Sequence, residues 1–519
     1  MQIVNNKAVV LRTRNPEKYS VIPKSTVVGE NGGVHEVAVY WGLDETRVLR
    51  NLGVKNLKSP ITARYNFPGI YKPMAHQVET ASFLTINRRA FVFNDPGTGK
   101  TFSALWAADY LMKLKHVRRC LILCPLSIMH DAWMNGIGKS IIHRSAVVAH
   151  HNQASRRIEM IQQDYEFVIV NYDGLNLIAK EVNSNGKFDL IIVDEANAYK
   201  NVATKRWKSL NSIVKPDTLL WMMTGTPSAQ SPVDAYGLAK LVNPTGVPKF
   251  VTAWRDKVMT KLTQFKWVPK PQAADLVFGA LQPAIRYTKE ECTDLPPVVT
   301  ETREVPLTPQ QQKYYSLLKD RMLFQTAGET ITAVNAASGV NKLLQISAGA
   351  AYTDDHEVVE FDCAPRLNVL LEALQETSRK VIIFAPYRHS IETISTFLAK
   401  HNINAEQIHG DVSVNKRTDI FKRFQTMPEP RVLVVQPMSA SHGVTLTAAD
   451  TVIFYGPVLS VETYLQCIAR ADRIGQDSTK VRVIHLQGSP IEKKMFKQLE
   501  GRVETHMSLV ALYEEEIKN

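Results

Sequence analysis

The sequence predicts an α/β protein in which two lobes, each a parallel sheet covered by helices, follow a small N-terminal α+β accessory domain. The chain has 519 residues, which is enough for about three domains. Short apolar runs alternate with amphipathic stretches in two series, beginning after about residue 70 and near residue 380. This alternation is typical of parallel sheets with helices on both faces. The runs are AFVF, CLILC, FVIVNY, LIIVDE and LLWMMTG, then VIIFA, AEQIH, RVLVVQ, TVIFYG and VRVIHL.

The composition is that of an ordinary folded chain with an excess of positive charge. Hydrophobic residues make up 45% and charged residues 22%, which excludes a mostly disordered or collagen-like protein. The net charge of +12 favours partners rich in phosphate. The five scattered cysteines form no pair at zinc spacing, so we expect reduced core residues.

The lengths of the apolar runs indicate where in the cell the protein is located. The apolar runs are far shorter than the roughly 18 residues that span a bilayer, so we expect no membrane partner. The opening residues MQIVNNKAVVLRTRN contain no apolar stretch of signal-peptide length. We therefore expect a cytoplasmic protein of a bacterium or a phage-infected host cell.

Changes of pattern along the chain predict five segments. The first contains a hairpin in STVVGENGGVHEV and a short helix capped by Asp44. Proline punctuates the helical stretches between the two lobes and predicts a connector there. The predicted segments are 1–65 (accessory domain), 66–275 (first lobe), 276–365 (helical connector), 366–490 (second lobe) and 491–519 (C-terminal bracing helix).

Apolar residues at intervals of four predict that the last segment is an amphipathic helix bracing one lobe against the other. They are Ile491, Met495, Leu499, Val503 and Met507.

A glycine-rich loop follows the first apolar run of the first lobe. The run AFVF leads into NDPGTGKT (Asn94–Thr101), and a helix-like stretch begins at once. A strand, a glycine-rich turn and a helix start place backbone N–H groups around a polyphosphate. Lys100 would reach the β and γ phosphates, and the Thr101 hydroxyl would bind Mg²⁺. The predicted nucleotide-binding residues here are Asp95, Gly97, Thr98, Gly99, Lys100 and Thr101.

Asn94 stands where the strict phosphate-loop pattern G-x-x-x-x-G-K-[ST] has glycine. Gly97 and Gly99 still let the backbone approach the phosphates. The alternative interpretation of the loop is a glycine-rich turn with a surface lysine.

Two adjacent carboxylates follow the strand LIIV at the edge where ligands bind in open α/β sheets. Asp194 would hold Mg²⁺, and Glu195 would orient and activate the attacking water. The alternative is a helix cap in a solvated turn.

Two further motifs carry groups suited to phosphoryl transfer. The strand LLWMM leads into TGTP, where the hydroxyls of Thr224 and Thr226 could bond the acidic pair and sense the γ phosphate. In QCIARADRIGQ, Arg470 and Arg473 lie three apart on one predicted helix face and could stabilise the transferring phosphoryl group. The alternative for the arginines is a solvated basic helix face.

Taken in order, Gln77, NDPGTGKT, VDEAN, MTGTP, SASHGVTLTAAD and QCIARADRIGQ resemble the SWI/SNF-type family of superfamily 2 helicase-like ATPases, in a compact bacterial or phage form. The resemblance covers roughly residues 70–500 and implies two RecA-like lobes that bind ATP and Mg²⁺. It also implies a role for residues of each lobe. Gln77 would read the adenine, and Gly443, Gln466, Arg470 and Arg473 would complete the site from the second lobe.

Other segments resemble the family's DNA-tracking elements. They are CPLSIMHDAW, which contains Ser127, and VNYDGL, which contains Tyr172. The resemblance implies that Thr224 and Thr226 couple the nucleotide state to DNA. Basic and aromatic residues between Lys249 and Lys270 are a further candidate DNA contact, with a helix core as the alternative.

Besides Asn94, two positions depart from the family pattern. Asn197 replaces the histidine of D-E-x-H, and His442 stands where small aliphatic residues are common.

The resulting hypothesis is a DNA-dependent ATPase that moves along double-stranded or branched DNA as a monomer. One alternative is a strand-separating DNA or RNA helicase. The other, of a different class, is a nucleic-acid-binding scaffold whose ATP site only switches affinity, with little turnover.

Overall fold

The computed structural model describes nine stretches of the chain, which form two compact units. The first unit contains Met1–Pro227, Val233–Val258 and Gln272–Cys292, and the second contains the rest of the described chain. The described stretches are 1–184, 188–225, 231–262, 267–292, 296–326, 333–352, 357–439, 444–473 and 475–501.

The first unit opens with a four-stranded antiparallel sheet in the order β1-β2-β4-β3. The predicted hairpin is present, because Gly32 and Gly33 adopt positive φ between β3 and β4. Asp44 lies in the first turn of α1, whose N-cap is Gly42, so its predicted role as the cap is wrong. The elements are β1 (Gln2–Val4), β2 (Ala8–Thr13), β3 (Ser25–Asn31), β4 (Val34–Tyr40), α1 (Leu43–Asn51) and α2 (Ile61–Arg64).

A seven-stranded sheet follows in the same unit, in the order β13-β5-β10-β9-β6-β8-β7, and all its pairings are parallel. Every residue of β6 is fully buried, which explains the unbroken apolar run: both faces of the sheet are covered. The strands are β5 (Arg89–Val92), β6 (Cys120–Cys124), β7 (Ala146–Val148), β8 (Phe167–Asn171), β9 (Leu190–Val193), β10 (Leu219–Met223) and β13 (Ala284–Ile285); β11 (Met259–Lys261) and β12 (Trp267–Pro269) form a separate antiparallel pair.

Helices flank these strands along the chain. They are α3 (Ala75–Ile86), α4 (Lys100–Lys113), α5 (Asn135–Ser140), α6 (Ala154–Gln162), α7 (Tyr172–Ser184), α8 (Lys205–Ile213), α9 (Ala235–Val242), α10 (Val251–Val258), α11 (Ala273–Ala280) and α12 (Lys289–Cys292).

The second unit is built on a six-stranded sheet in the order β14-β21-β20-β17-β19-β18, again parallel throughout. Its strands are β14 (Val298–Glu304), β17 (Lys380–Phe384), β18 (Ala405–Ile408), β19 (Val432–Val435), β20 (Ala449–Phe454) and β21 (Val481–Gln487); β15 (Ala350–Tyr352) and β16 (Val358–Glu360) pair separately. Its helices are α13 (Pro309–Thr326), α14 (Ala333–Ala348), α15 (Ala364–Gln375), α16 (Arg388–Lys400), α17 (Val414–Thr426), α18 (Val461–Ile468) and α19 (Pro490–Glu500).

Two helix-covered parallel sheets in tandem, behind a small antiparallel domain, confirm the predicted fold class. The range 276–365 also contributes an edge strand to each sheet, since β13 pairs with β5 and β14 pairs with β21. β13 has only two residues, and β14 (VVTETRE) has two apolar residues followed by five polar ones, so neither stands out as an apolar run. The domain boundaries themselves stay predictions.

The helix α19 packs against α14 and β21 and buries Ile491, Met495 and Leu499, as their spacing predicts. Val503 and Met507 lie outside the described residues. Within those residues, each helix is too short or too polar to cross a lipid bilayer.

A buried ion pair joins α19 to α15. One guanidinium nitrogen of Arg366 donates to both carboxylate oxygens of Glu492 at 2.8 Å, and the side chains are 2% and 0% exposed. Glu492 also accepts from the main-chain N–H groups of Gly488 and Ser489, at 2.9 and 3.1 Å. Arg366 donates to the carbonyl of Tyr455 at the end of β20, so the pair ties both helices to the sheet.

We expect Arg366→Ala to lower the free energy of unfolding by about 3–5 kcal/mol, because it leaves the buried Glu492 carboxylate without its counter-charge. Arg388→Ala is the matched control, since Arg388 pairs with Glu392 and Asp411 at an exposed site, where solvent screens the pair and its loss should change the free energy of unfolding little. Urea denaturation of the full chain measures both values. Equal losses of unfolding free energy in the two variants would contradict a stabilising role for the buried pair of Arg366 and Glu492.

Candidate active site

The carboxyl ends of three neighbouring strands bring the predicted catalytic motifs to one edge of the first sheet. The Thr224 N–H, just after β10, donates to the carbonyl of Val92 at the end of β5, at 3.0 Å. The Asp194 N–H, just after β9, donates to the carbonyl of Leu123 in β6, at 2.8 Å. The glycine-rich loop, the acidic pair and Thr224 therefore share this edge, where ligands bind in open α/β sheets.

The glycine-rich loop has the backbone that close approach to phosphate requires. Gly97 and Gly99 adopt φ of +88° and +83°, in the left-handed region that favours glycine. A Cβ at Gly99 would lie 2.1 Å from Nε2 of Gln77, so a side chain there would displace the Gln77 amide from the loop. Lys100 and Thr101 begin α4 directly after the loop, which puts backbone N–H groups and the positive helix end at this point.

The side chain of Lys100 lies across its own loop. Its ammonium group donates to the carbonyl of Asn94 at 2.6 Å and to that of Asp95 at 3.3 Å. The Thr98 hydroxyl also donates to the carbonyl of Asp95, at 2.8 Å. Hydrogen bonds between its own residues therefore hold the loop together.

Asn94, the departure from the strict pattern, holds the loop to two neighbouring segments. Its side chain is buried, donates to the Thr80 hydroxyl of α3 at 2.9 Å, and accepts from the N–H of Tyr287 at 3.1 Å. A glycine at this position could make neither bond.

The segment after β13 runs alongside the loop and was not predicted as part of the site. The Asp95 N–H donates to the carbonyl of Tyr287 at 3.0 Å, and its carboxylate accepts from the N–H of Lys289 at 3.2 Å. The donor of each bond is a main-chain N–H group, and such contacts between distant segments are not revealed by residue types in a sequence.

Gln77, the predicted adenine reader, contacts the glycine-rich loop from α3. Its Nε2 donates to the carbonyl of Thr98 at 3.2 Å, and its Oε1 accepts from the N–H of Met74 at 3.0 Å. The neighbouring His76 places Nε2 2.8 Å from the same Thr98 carbonyl.

The Asp194 carboxylate receives one donor on each oxygen. The Glu195 N–H donates to Oδ1 and the indole N–H of Trp133 donates to Oδ2, both at 3.0 Å. Asp194 is 8% exposed and Trp133 is fully buried. Trp133 ends the segment CPLSIMHDAW, which resembles a DNA-tracking element, but the sequence predicted no role for its side chain.

Glu195 adopts a backbone conformation that is unfavourable for a residue with a side chain. Its φ of 48° and ψ of 56° lie in the left-handed region, at a cost of about 1–2 kcal/mol. The Tyr172 hydroxyl donates to the carbonyl of Asp194 at 2.5 Å and lies 3.3 Å from that of Glu195. Burial, together with the charges of Asp194 and Glu195, raises the pKa of Tyr172, so its phenol stays protonated and remains a donor.

The predicted coupling residues differ in their surroundings. Tyr172 is buried beneath the acidic pair, whereas Ser127 is exposed in the turn after β6. Thr224 is fully buried. A Cβ at Gly225 would lie 2.8 Å from Cδ of Pro96 in the glycine-rich loop, so glycine allows the two loops to approach. Thr226 lies outside the described residues.

Oxygen donors in this unit suit Mg²⁺ held together with a nucleotide. Thr101 and Asp194 supply a hydroxyl and a carboxylate, and Mg²⁺ commonly takes one or two such ligands, phosphate oxygens and water. In the described chain, no group of three or more His, Cys, Asp or Glu side chains lies together as a metal site.

The second unit carries the remaining predicted residues, with Gln466 inside α18 and Arg470 and Arg473 after it. The Arg470 guanidinium donates to the carbonyls of Gln466 at 2.8 Å and Val444 at 3.1 Å, and both Arg470 and Gln466 are buried. Gly443 and His442 lie outside the described residues.

The helix predicted for Arg470 and Arg473 is wrong. α18 ends at Ile468, and both arginines lie in the turns that follow. Arg470 is 5% exposed, which also excludes a solvated helix face for this residue.

The stretch between Lys249 and Lys270 divides into core and surface. Trp254 is buried in α10, in agreement with the alternative of a helix core, whereas Phe250 is 63% exposed. The ammonium group of Lys249 lies 5.5 Å from the ring of Phe250. Phe265 lies outside the described residues.

Comparison with known sequences identifies two consecutive domains. The SNF2-related domain matches residues 74–349, and the helicase conserved C-terminal domain matches residues 365–475.

Three relatives illustrate the range of similar proteins. Chromodomain-helicase-DNA-binding protein 1-like of Danio rerio is 25% identical over 80% of this chain and 41% of its own length. SWI/SNF-related matrix-associated actin-dependent regulator of chromatin subfamily A-like protein 1 of Drosophila melanogaster is 24% identical, over 83% of this chain and 54% of its own. Putative protein p41 of Acyrthosiphon pisum secondary endosymbiont phage 1 is 24% identical, over 77% of this chain and 88% of its own length. The chain thus spans about half the length of the two animal relatives.

Among solved structures, the Sulfolobus solfataricus SWI2/SNF2 ATPase core in complex with dsDNA aligns with a TM-score of 0.42 and 20% identity, covering 87% of this chain and 96% of that one. The family assignment rests on the sequence matches. Since the SNF2-related domain alone spans more than half of the 519 residues and the helicase C-terminal domain follows it, the chain belongs to the SNF2-related family of superfamily 2 helicase-like ATPases.

Proposed function

We propose that this protein is a DNA-dependent ATPase that converts ATP hydrolysis into movement along double-stranded DNA, and that it remodels branched DNA or protein–DNA complexes. The observation that carries the proposal is the arrangement at one sheet edge: a glycine-rich loop opening α4, with Asp194 and Glu195 after a neighbouring strand. Family membership supplies the context.

In this proposal the glycine-rich loop and α4 bind the phosphates of ATP. Backbone N–H groups between Gly97 and Thr101 would bind phosphate oxygens, and Lys100 would turn from the loop carbonyls to the β and γ phosphates. Gln77, already against the loop, would face the adenine.

Hydrolysis would depend on the acidic pair. Thr101 and Asp194 would hold Mg²⁺, which supplies charge neutralisation at the phosphates when bound. Glu195 would orient a water molecule and accept its proton as it attacks the γ phosphate. The donors on Asp194 and the Tyr172 bonds keep both residues in one arrangement, which favours a defined geometry for this step.

We further propose that Gly443, Gln466, Arg470 and Arg473 of the second unit complete the site when ATP is bound. An arginine placed at the transferring phosphoryl group is worth about 10³–10⁵ in rate. Release of the arginines after hydrolysis would drive one step of movement.

Three features favour DNA as the partner. The net charge is +12, and one relative is named as a DNA-binding protein. Ser127 is exposed beside the segment that bonds Asp194. Thr224 and Thr226 are proposed to couple this surface to the nucleotide.

A strand-separating helicase is the second candidate, favoured by the match to the helicase C-terminal domain and by a Mycoplasma genitalium relative named as an ATP-dependent helicase. A scaffold with little turnover is less favoured, because Glu195 adds nothing to nucleotide binding alone.

Glu195→Gln should lower kcat for ATP by about 10²–10⁴, because the amide cannot accept the proton from water, with little change in ATP affinity. Glu159→Gln is the control, since Glu159 forms an exposed pair with Arg156. Steady-state hydrolysis and equilibrium binding of ATP measure the two effects. Unchanged turnover in Glu195→Gln would contradict the mechanism.

Duplex DNA should stimulate the ATPase, and the stimulation should weaken as salt rises, because phosphate contacts release counterions. Triplex displacement without unwinding of a forked substrate would distinguish a translocase from a strand-separating helicase. Hydrolysis that is independent of DNA would contradict the proposal.

Asn94→Gly would restore the strict phosphate-loop pattern, but we expect it to impair the site. The change leaves buried polar groups of Thr80 and Tyr287 without this partner, at a cost of about 1–3 kcal/mol in stability. We expect KM for ATP to rise about tenfold, which corresponds to roughly 1.4 kcal/mol of binding.

The control for this change is Asn87→Gly, since Asn87 donates from its side chain to the carbonyl of Phe83 at the end of α3, away from the loop. It should leave KM for ATP unchanged. An Asn94→Gly enzyme with the wild-type KM would show that the Asn94 side-chain bonds to Thr80 and Tyr287 do not position the loop.

A further inference from the structure

We propose that Trp133 is a positioning residue for the metal-binding carboxylate, and that it links the segment predicted to contact DNA to the Mg²⁺ site. The inference rests on the proposed function, because the orientation of Asp194 matters to the reaction only if Mg·ATP binds beside it.

The contact is short, buried and specific in its chemistry. The indole N–H of Trp133 donates to Oδ2 of Asp194 at 3.0 Å, and an indole has no other polar atom. The Glu195 N–H donates to Oδ1 at 3.0 Å. With a donor on each oxygen, rotation of the carboxylate would break at least one bond in a buried setting, where lost bonds are expensive. Each oxygen can still accept further bonds.

Trp133 reaches Asp194 from an unusual backbone. Met129–Met134 forms a π-helical turn, between the 3₁₀ turn Leu126–Ile128 and α5. Such turns are rare and are frequent at functional sites. A widened turn can change its hydrogen-bond pattern to that of a neighbouring α-helix with a local shift, which would move Trp133.

The 3₁₀ turn and the π-helical turn together have a buried face and an exposed face. Ile128, Met129 and Trp133 are buried, whereas Ser127 and His130 are exposed. The exposed face belongs to the segment that resembles a DNA-tracking element, and the buried face ends on Asp194. A contact on the outside is therefore one turn of backbone away from the metal-binding carboxylate.

Trp133 and Tyr172 act on different atoms of the acidic residue. The Tyr172 hydroxyl donates to the Asp194 main-chain carbonyl, whereas Trp133 holds the side chain. Mg²⁺ demands near-ideal octahedral geometry, and groups that orient a metal-binding carboxylate commonly contribute about 10–100-fold in metal affinity or activity. Loss of the Trp133 donor should therefore weaken the Mg²⁺-dependent part of nucleotide binding.

The test is Trp133→Phe in the full chain, which keeps an aromatic ring but removes the N–H donor. Calorimetric titration with ADP at a series of Mg²⁺ concentrations, and in EDTA, separates the metal-dependent from the metal-independent affinity. We expect the Mg²⁺ concentration for half-maximal effect to rise about tenfold, with the affinity in EDTA unchanged. Duplex DNA should lower that Mg²⁺ concentration in the wild type and have little effect in Trp133→Phe.

Trp106→Phe is the matched control. The indole N–H of Trp106 donates to the carbonyl of Pro68 at 3.0 Å, and the side chain is 1% exposed. The change thus removes a comparable buried bond away from Asp194. If both variants show the same Mg²⁺ dependence as the wild type, the inference is overturned.

Two further arms keep the outcomes distinct. If Trp133→Phe does not fold, benzothienylalanine at position 133 retains the bicyclic shape without the N–H, and the same rise in Mg²⁺ requirement is expected; an unchanged requirement overturns the inference. If the wild-type protein itself shows no Mg²⁺-dependent nucleotide binding, the proposed function fails. If the wild type shows it and the Trp133 variant has the same Mg²⁺ requirement, only the inference about Trp133 fails.

Discussion

The alignment of parallel strands in the first sheet is the constraint on which the candidate site depends. Main-chain bonds from Thr224 to Val92 and from Asp194 to Leu123 fix where each strand ends relative to its neighbour. Because side chains just beyond parallel strand ends project from one edge, residues about 100 positions apart in the chain are held together there.

Around this edge, several residues adopt conformations or positions that are unfavourable in free energy, and the packing of the surrounding structure offsets this. Glu195 adopts a left-handed backbone, Asp194 is a buried carboxylate, and Asn94 is a buried amide. Each is held by specific donors or acceptors, among them Trp133 and Tyr172. Strain and buried polar groups that persist because their surroundings determine them are typical of functional sites. The second unit shows the same principle in a structural role, at the buried pair of Arg366 and Glu492.

Errors of the sequence-based predictions have physical causes. β13 and β14 were missed because edge strands need fewer apolar residues than central strands do. The arginine pair was placed on a helix because i, i+3 spacing suits one, but α18 ends at Ile468 and Arg470 bonds main-chain carbonyls instead. No role was predicted for the Trp133 side chain, because the sequence does not show that its indole N–H lies beside the Asp194 carboxylate.

By itself the sequence determined the order of the motifs, the two series of strands and the chemical groups available for binding and hydrolysing ATP. These follow from residue types and short-range spacing, which act within a few residues along the chain. Only the tertiary structure decided that the Asn94 side chain bonds the loop to α3 and to the segment after β13, that Tyr172 is buried beneath the acidic pair and that Trp133 orients Asp194. Those contacts join residues 14 to 193 positions apart in the chain, so their geometry is set by the packing of strands and helices rather than by any local pattern.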